Sequence, residues 1–483
     1  MKNKKDKNAF YITTTLPYVN ATPHIGFAME IVLADIIARW KKLSGCEVFF
    51  NTGTDEHGEK VYRAALYAKY DPKLYADEYS EKFRSLKEIL GLSEDLHFIR
   101  TTDESHRKAA QDFWKRCRDN GDIYKANYKI KYCLGCELEK TDSELIDGKC
   151  SLHPDRELEI REEENYFFRF SNYEKQLLDL YESSPDFVIP NFRLNEMRSL
   201  ISRGLSDFSI SRLRAKMPWG VAVPDDPDHI MYVWFDALVN YISTLGWGSD
   251  DGSKFEKFWV KGMTVQIAGK DQVRQQAAMW QAMLLSAGLP PTDHILIHGF
   301  INFGGQKMSK SLGNVISPEK VVEEFGTEAL RYFITREFNQ FEDTDITESR
   351  LKEAYNANLA NGLGNLVSRI MKMAETHLDK SPELPEKSIP RDYIEALDKF
   401  EIQKAVNIIW DKVRELDAKI QKTEPFKLVK TDSEEGKSLI SEIVVSLYTI
   451  GLMLNPVMPE TSSAIKDAVK KNVSPLTLFP RIE

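Results

Sequence analysis

Between Gly304 and Gly313 the chain reads GGQKMSKSLG, with Lys307 and Lys310 three residues apart. Two glycines make a mobile turn, and two ammonium groups on it can close over a polyphosphate and stabilise charge that develops and leaves. Near the N-terminus, Pro23-His24-Ile25-Gly26 separates a β-rich run, Phe10 to Thr15, from a helical pattern over residues 25–40. The turn therefore feeds a helix N-terminus, whose backbone N–H groups and positive dipole end favour an anion. Gly26 leaves room for a phosphate or a flat ring, and His24 can donate to phosphate oxygens. Taken singly, a Lys-rich turn is a solvated loop and a histidine before a helix is a cap. Occurring together, the two stretches point to polyphosphate chemistry.

A second constellation lies between them. Cys133-Leu134-Gly135-Cys136 and Cys150-Ser151-Leu152-His153 form a CxxC and a CxxH, the two-plus-two spacing of a tetrahedral zinc site. Five cysteines are present, and Cys46 and Cys117 stand apart from the cluster. A disulfide or unrelated thiols are the alternatives, the first disfavoured in a reducing compartment. With all four positions filled by side chains, no place is left for a reactive water, so zinc there is expected to be structural.

The elements that position these groups follow from periodicity. A strand, a turn, a helix and a second strand, Glu47 to Thr54 ending in Asp55, begin a doubly wound parallel sheet with ligands at the C-terminal strand ends. From about Ile123 the composition changes to the knuckles, an acidic run over 156–165 and a strand turning into a helix. The sheet resumes with Met231 to Phe235, read as a strand, a helix over Gln272 to Ala287 and a strand at Ile295 to His298. Beyond Val315 the chain is helical. Short helices at Pro318–Phe325 and Glu328–Arg336 precede long amphipathic stretches at 351–377, 394–421 and 438–454, divided by a Pro-rich linker and a polar loop over 430–437. At 483 residues, 42% hydrophobic and 29% charged, the chain should form several soluble domains. Its net charge of −9 argues against unspecific nucleic-acid binding and leaves room for local basic patches. No apolar run is read as a membrane span and no secretory signal is seen, so the cytoplasm is expected.

PHIG and KMSKS, in this order and separation, resemble the two signature motifs of class I aminoacyl-tRNA synthetases. LPY at Leu16 to Tyr18, NTGTDEHG at Asn51 to Gly58, YVWFDAL at Tyr232 to Leu238, AGKD at Ala268 to Asp271 and the final LFPRIE are similar to the methionyl-tRNA synthetase family. The resemblance implies ATP, L-methionine and both initiator and elongator tRNA(Met) as partners, with Mg²⁺ carried by ATP and one structural Zn²⁺ on Cys133, Cys136, Cys150 and His153. It gives His24, Lys307 and Lys310 to catalysis, and adds Gly26 and Asp271 to ATP binding, although Asp271 could equally cap the helix that follows. Leu16, Tyr18, Trp234, Leu238 and Tyr241 would line the methionine pocket, with Asp55 pairing the substrate ammonium. Phe27 stands where the family has a second histidine, and Gln276 also replaces a histidine, one whose donor could still reach a sulfur or a tyrosine hydroxyl.

The resemblance also sets the expected domains. Residues 1–122 and 219–298 would be the two halves of a Rossmann-type nucleotide fold, 123–218 an inserted zinc-binding module, 299–349 the KMSKS loop and stem-contact region, and 350–483 an all-α helix-bundle domain for the anticodon. Asn361, Asn365 and Arg369 recur every four residues, one exposed row of donors on a helix that would face the anticodon. Phe426, following Glu424-Pro425 where the family has tryptophan, would stack a base, with Lys419, Lys422 and Lys427 near the phosphates. The chain ends at Glu483, soon after the bundle, so an additional C-terminal RNA-binding or dimerising module is not expected and a monomer is. Two other readings remain open: a class I enzyme for another amino acid, and a catalytically silent tRNA-binding paralogue.

Overall fold

Six consecutive residues, AFYITT, are buried over Ala9–Thr14, as a strand covered on both faces requires. The computed structural model describes residues 6, 8–140, 145–249, 251–307, 316–385 and 389–483. It places that strand, β1, between β2 (Glu47–Thr54) and β13 (Met263–Gly269). In chain order the other strands up to residue 298 are β3 (His97–Arg100), β4 (Ile123–Cys133), β5 (Leu138–Lys140), β6 (Leu145–Ile146), β7 (Lys149–Cys150), β8 (Glu159–Phe168), β9 (Val188–Ile189), β10 (Phe208–Ser209), β11 (Ser211–Leu213), β12 (His229–Met231) and β14 (His294–His298).

The main sheet has the order β3-β2-β1-β13-β14-β9, and β1 pairs in parallel with both β2 and β13. The chain builds outward through β2 and β3, then returns to the other side of β1. The order thus reverses at β1 and β13, the point where open α/β sheets form a crevice beyond their strand ends. Between the halves, β10-β8-β4-β5 form an antiparallel sheet. One segment inside the range expected for the insertion, β9, instead joins the parallel sheet beside β14.

By compactness the chain divides into two units. Met1–Pro23, Gly45–Leu86 and Glu94–Ile297 make the first, and His24–Ser44, Lys87–Ser93 and His298–Glu483 the second. The helix α1 (Ile25–Leu43) therefore counts with the second unit, although it follows β1 directly. In the first unit the core is aromatic: Phe113 stacks on Trp280 at 5.6 Å, and Trp114 meets Phe235 edge-on at 5.2 Å.

Several readings of the sequence are corrected. The strand expected at Met231–Phe235 is β12 followed by a helical turn, Val233–Ala237. Its apolar residues are buried all round, so their run carries no period that separates strand from helix. The polar loop over 430–437 is a junction between helices Pro425–Thr431 and Ser433–Leu454, where the Asp432 carboxylate accepts from Glu435 N at 3.0 Å. Asp432 is thus a side-chain N-cap, while its own N–H donates to the Leu428 carbonyl at 2.8 Å. The stretch 394–421 divides into Arg391–Asp398 and Ile402–Thr423 at Phe400, which holds φ +62°. Ser433–Leu454 is also long and apolar enough to cross a membrane by length and composition. Its apolar residues pack against the helices Asn365–His377, Ile402–Thr423 and Pro459–Lys471.

The second unit is tied together by one buried pair. Arg331 is fully buried and donates Nη2 to Asp35 Oδ2 on α1 at 2.7 Å, Nε to the Val457 carbonyl at 2.7 Å and Nη1 to the Leu90 carbonyl at 3.1 Å. Asp35 also accepts from Arg39 Nε and from both the N–H and the hydroxyl of Ser93. Burial would raise the Asp35 carboxyl, but Arg331 and Arg39 hold it below the usual range. Its stabilisation is therefore complete above the ordinary carboxylate pKa and fades as pH falls through the lowered value. Arg331→Met should destabilise the protein by about 3–5 kcal/mol, because Asp35 loses its buried partner. Denaturant melts check this, and an unchanged midpoint would refute it.

Candidate active site and metal centre

The residues expected to hold the amino acid come together in the first unit. Asp55 follows the C-terminal end of β2, and its N–H donates to the Pro17 carbonyl at 3.0 Å while Val19 N donates to the Asp55 carbonyl at 3.3 Å. This isolated parallel bridge sets Tyr18 beside Asp55, two residues beyond Leu16. The Tyr18 ring meets Trp234 edge-on at 6.2 Å, and the Lys60 ammonium lies 4.5 Å from its centroid. Leu238 and Tyr241 are buried just beyond Trp234, and Gln276 Nε2 donates to the Tyr241 hydroxyl at 2.7 Å. Gln276 lies on a π-helical turn, Gln275–Met279.

Four buried polar atoms of this group, Asp55 Oδ1, the Tyr18 hydroxyl, Trp234 Nε1 and Gln276 Oε1, make no hydrogen bond of good geometry within the protein. Buried polar atoms are nearly always satisfied, so these await a ligand or water. Burial, then the Asp236 and Glu137 carboxylates, pushes the Asp55 carboxyl well above its usual value. Tyr18 is raised too, by burial and then by Glu137 and Asp55. An apolar pocket with one such carboxylate is built to receive a cation on an apolar chain.

The neighbouring acids are satisfied from elsewhere. Glu56 takes a two-pronged guanidinium contact from Arg100, at 2.6 and 2.8 Å. Asp236 is shared by His57 Nδ1 at 2.6 Å and His106 Nε2 at 2.9 Å. Burial would raise Asp236, but the two imidazoles bring it down to about 2. Asp236 and His57 lie inside the quoted motifs without a role having been assigned to them. His106 carries no sequence signal, since only the fold brings it there.

In the second unit, His24 is the N-cap of α1, and its Nδ1 accepts from Gly26 N at 3.1 Å. A Cβ at Gly26 would stand 2.9 Å from the imidazole, so this glycine makes room for the cap itself. Acceptance at Nδ1 puts the proton of a neutral ring on Nε2, a donor on an exposed side chain at a helix N-terminus. Phe27 is buried. The first N–H of α1, that of Ile25, donates to the Ile316 carbonyl at 3.0 Å, just beyond the Lys-rich loop. On the near side of that loop, β15 (Ile301–Phe303) pairs with β16 (Gln306–Lys307) across Gly304 and Gly305 at φ +60° and +78°. Lys307 thus sits on a hairpin strand, and Lys310 lies outside the described residues. Asp271, in the first unit, is exposed on the turn that ends β13, and no side-chain cap is formed there.

Cys133, Cys136, Cys150 and His153 bring their ligand atoms within 4.8 Å of one another. Cys136 Sγ is 3.2 Å from His153 Nδ1 and 3.5 Å from Cys150 Sγ, and Cys133 Sγ is 3.8 Å from His153 Nδ1. A tetrahedron with metal–sulfur bonds of ~2.3 Å has edges of ~3.8 Å, so three sulfurs and one imidazole at this spacing are compatible with zinc. A Cβ at Gly135 would lie 2.5 Å from the His153 ring, which explains the glycine in the first knuckle.

The row expected for the anticodon is uneven. Asn361 and Asn365 are exposed, and Asn361 lies within a π-helical segment, Tyr355–Gly364, whose turn is longer than the four-residue repeat. Arg369 is half-buried and already paired with Asp417 at 2.6 Å, so it is no free donor row. Phe426, 40% exposed, shares a cavity of about 360 Å³ with Arg369, Lys372 and His377. Lys419 pairs with Glu442 and Lys427 with Glu424, which restrains their use for phosphates.

Known proteins agree with this arrangement. The family model for class I tRNA synthetases (M) matches residues 10–156 and 135–371. A methionine–tRNA ligase of Thermotoga maritima is 40% identical over 94% of this chain and 74% of its own, and one of Rickettsia bellii 39% identical over 96% and 93%. A structure of Mycobacterium tuberculosis methionyl-tRNA synthetase in complex with methionyl-adenylate superposes with a TM-score of 0.87 at 35% identity, covering 98% of both chains. With the switch-point sheet, the carboxylate-anchored pocket and the capped helix already in place, these matches establish that the chain belongs to the methionine–tRNA ligase family of class I tRNA synthetases.

Proposed function

We infer that the protein joins L-methionine to tRNA(Met) by way of methionyl-adenylate. The amino-acid carboxylate attacks the α-phosphorus of ATP and pyrophosphate leaves; the methionyl group then passes to a terminal ribose hydroxyl of tRNA and AMP is released. The observation that carries this reading is the unpaired Oδ1 of the buried Asp55 carboxylate beside Tyr18 and Trp234, in a chain of this family. Asp55 binds the ammonium, Leu16, Tyr18, Trp234, Leu238 and Tyr241 enclose the thioether, and Gln276 orients Tyr241. Met's flexible, polarizable chain suits such an aromatic lining.

On the ATP side, we assign the triphosphate to His24 Nε2–H, the α1 N-terminus and Gly26, and the ribose to Asp271. Lys307 and Lys310 stabilise departing pyrophosphate, with Mg²⁺ arriving on the nucleotide. Little covalent work falls to the protein, so positioning and fixed cations supply the catalysis. Zinc on Cys133, Cys136, Cys150 and His153 would contribute folding energy to the module over 123–218. The region 350–483 reads the anticodon of initiator and elongator tRNA(Met), with Asn361, Asn365, Arg369 and Phe426 as contacts. Arg369 would have to exchange Asp417 for a base. A cytoplasmic monomer completes the reading.

The protein should support methionine-dependent exchange of pyrophosphate into ATP, and Lys310→Ala should cut kcat by about 10²-fold or more with little change in KM for methionine. Exchange with a different amino acid, or none, would favour a relative of other specificity or a silent paralogue. Because Asp55 must ionise to pair an ammonium, methionine affinity should rise by about tenfold per pH unit up to its raised pKa and then level off. Asp55→Asn should bind weakly at every pH; a retained slope would assign the titration to another group. Finally, Phe426→Ala and Arg369→Ala should reduce tRNA charging and spare tRNA-free exchange, and a parallel fall of both activities with the melting midpoint would make these residues structural.

A further inference from the structure

One side chain links the metal knuckle to the segment that runs on from Asp55. Glu137 follows Cys136, holds φ +49° and is fully buried. Its Oε1 accepts from Lys60 N at 2.8 Å. That contact caps the helix α2 (Glu59–Tyr67), whose own N-cap, Gly58, makes no side-chain bond. A Cβ at Gly58 would lie 3.4 Å from this same oxygen, and Gly58 sits at φ +92°. Glu137 is thereby fixed against the segment that runs on from Asp55.

Its second oxygen, Oε2, is buried without a partner. Two other buried oxygens lie nearby, Asp55 Oδ1 and the Tyr18 hydroxyl, on residues joined by a backbone bridge, and the hydroxyl is near enough to Glu137 to donate to it and still accept from a ligand. The Glu137 charge is felt by both. A buried carboxylate oxygen left unsatisfied is costly, and two of them beside a buried hydroxyl would be a poor way to build a core. A primary ammonium brings three donors and no acceptor. The numbers and the charge match.

We propose that Glu137 is a substrate-binding residue, its Oε2 joining Asp55 Oδ1 and the Tyr18 hydroxyl in a three-acceptor cradle for the primary ammonium of the amino acid. The inference rests on Asp55 as the ammonium partner and makes the metal knuckle part of the specificity pocket. It also gives the αL backbone after Cys136 a purpose, since a turn of that hand aims the carboxylate away from the thiolates.

Calorimetric titration of the full-length, metal-replete protein tests it, with L-methionine, its deaminated analogue 4-(methylsulfanyl)butanoate and N-methyl-L-methionine as ligands. Glu137→Gln, with metal content verified by elemental analysis, should weaken methionine by about tenfold or more and leave the deaminated analogue unchanged. Wild type should disfavour N-methyl-L-methionine by a similar factor, and the variant should narrow that gap. Equal losses for methionine and the deaminated analogue, no loss for either, or loss of the metal would each overturn the proposal. Equal binding of methionine and its N-methyl form by wild type would do so without any variant. If Asp55→Asn abolishes the preference for methionine over the deaminated analogue while Glu137→Gln keeps it, this inference fails alone. If Asp55→Asn keeps the preference, the pocket reading fails with it.

Discussion

A buried carboxylate must find a positive or donating partner, and the first unit is arranged around how four of them do so. Glu56 has Arg100, Asp236 has His57 and His106, and Glu137 has the first turn of α2 for one of its oxygens. Asp55, in their midst, has none for Oδ1. Arg100, His57 and His106 are thereby engaged away from Asp55, while the Lys60 ammonium lies over the Tyr18 ring. The charge on Asp55 is then unfavourable until a ligand brings a cation, which is how a pocket is kept both stable and selective.

The same logic runs differently in the second unit. There the buried acid, Asp35, is fully paired, and its guanidinium partner spends its remaining donors on the carbonyls of Val457, Leu90 and Pro456. One charged pair thus joins α1, the short segment over 87–93, the helix Thr327–Tyr332 and the loop before Pro459–Lys471. Four stretches far apart in sequence are held around α1, the helix that His24 caps. A closed pair suits a scaffold as an open one suits a site.

What was legible in the sequence follows from which features are local. The strand β2 was readable from its first to its last residue, and the knuckle ligands from their spacing, because backbone period and ligand geometry act over a few residues. The positions of Leu16, Tyr18 and Asp55 came with motifs. Glu137 and His106 did not, since their roles depend on chain segments brought together across some eighty to a hundred and thirty residues, Glu137 with Lys60 and His106 with Asp236. The errors have local causes too. At Val233–Ala237 burial on all sides erased the period, and Tyr355–Gly364 is a π-helical segment that a count by four from Asn361 does not anticipate. Asp432 was a helix N-cap read as part of a polar loop.

Phe27 shows how a departure from a motif can be read physically. In α1 the residue is buried while His24, three positions earlier, is exposed and caps the helix. An aromatic hydrocarbon there joins the packed face of α1 and carries no hydrogen-bond donor, so of these two positions only His24 holds an imidazole. That ring is held by the Gly26 N–H at Nδ1, which fixes both its plane and its tautomer and leaves Nε2–H as its donor. A single preorganised imidazole at a helix N-terminus, where backbone N–H groups already favour an anion, needs less help from a second histidine than an unrestrained one would.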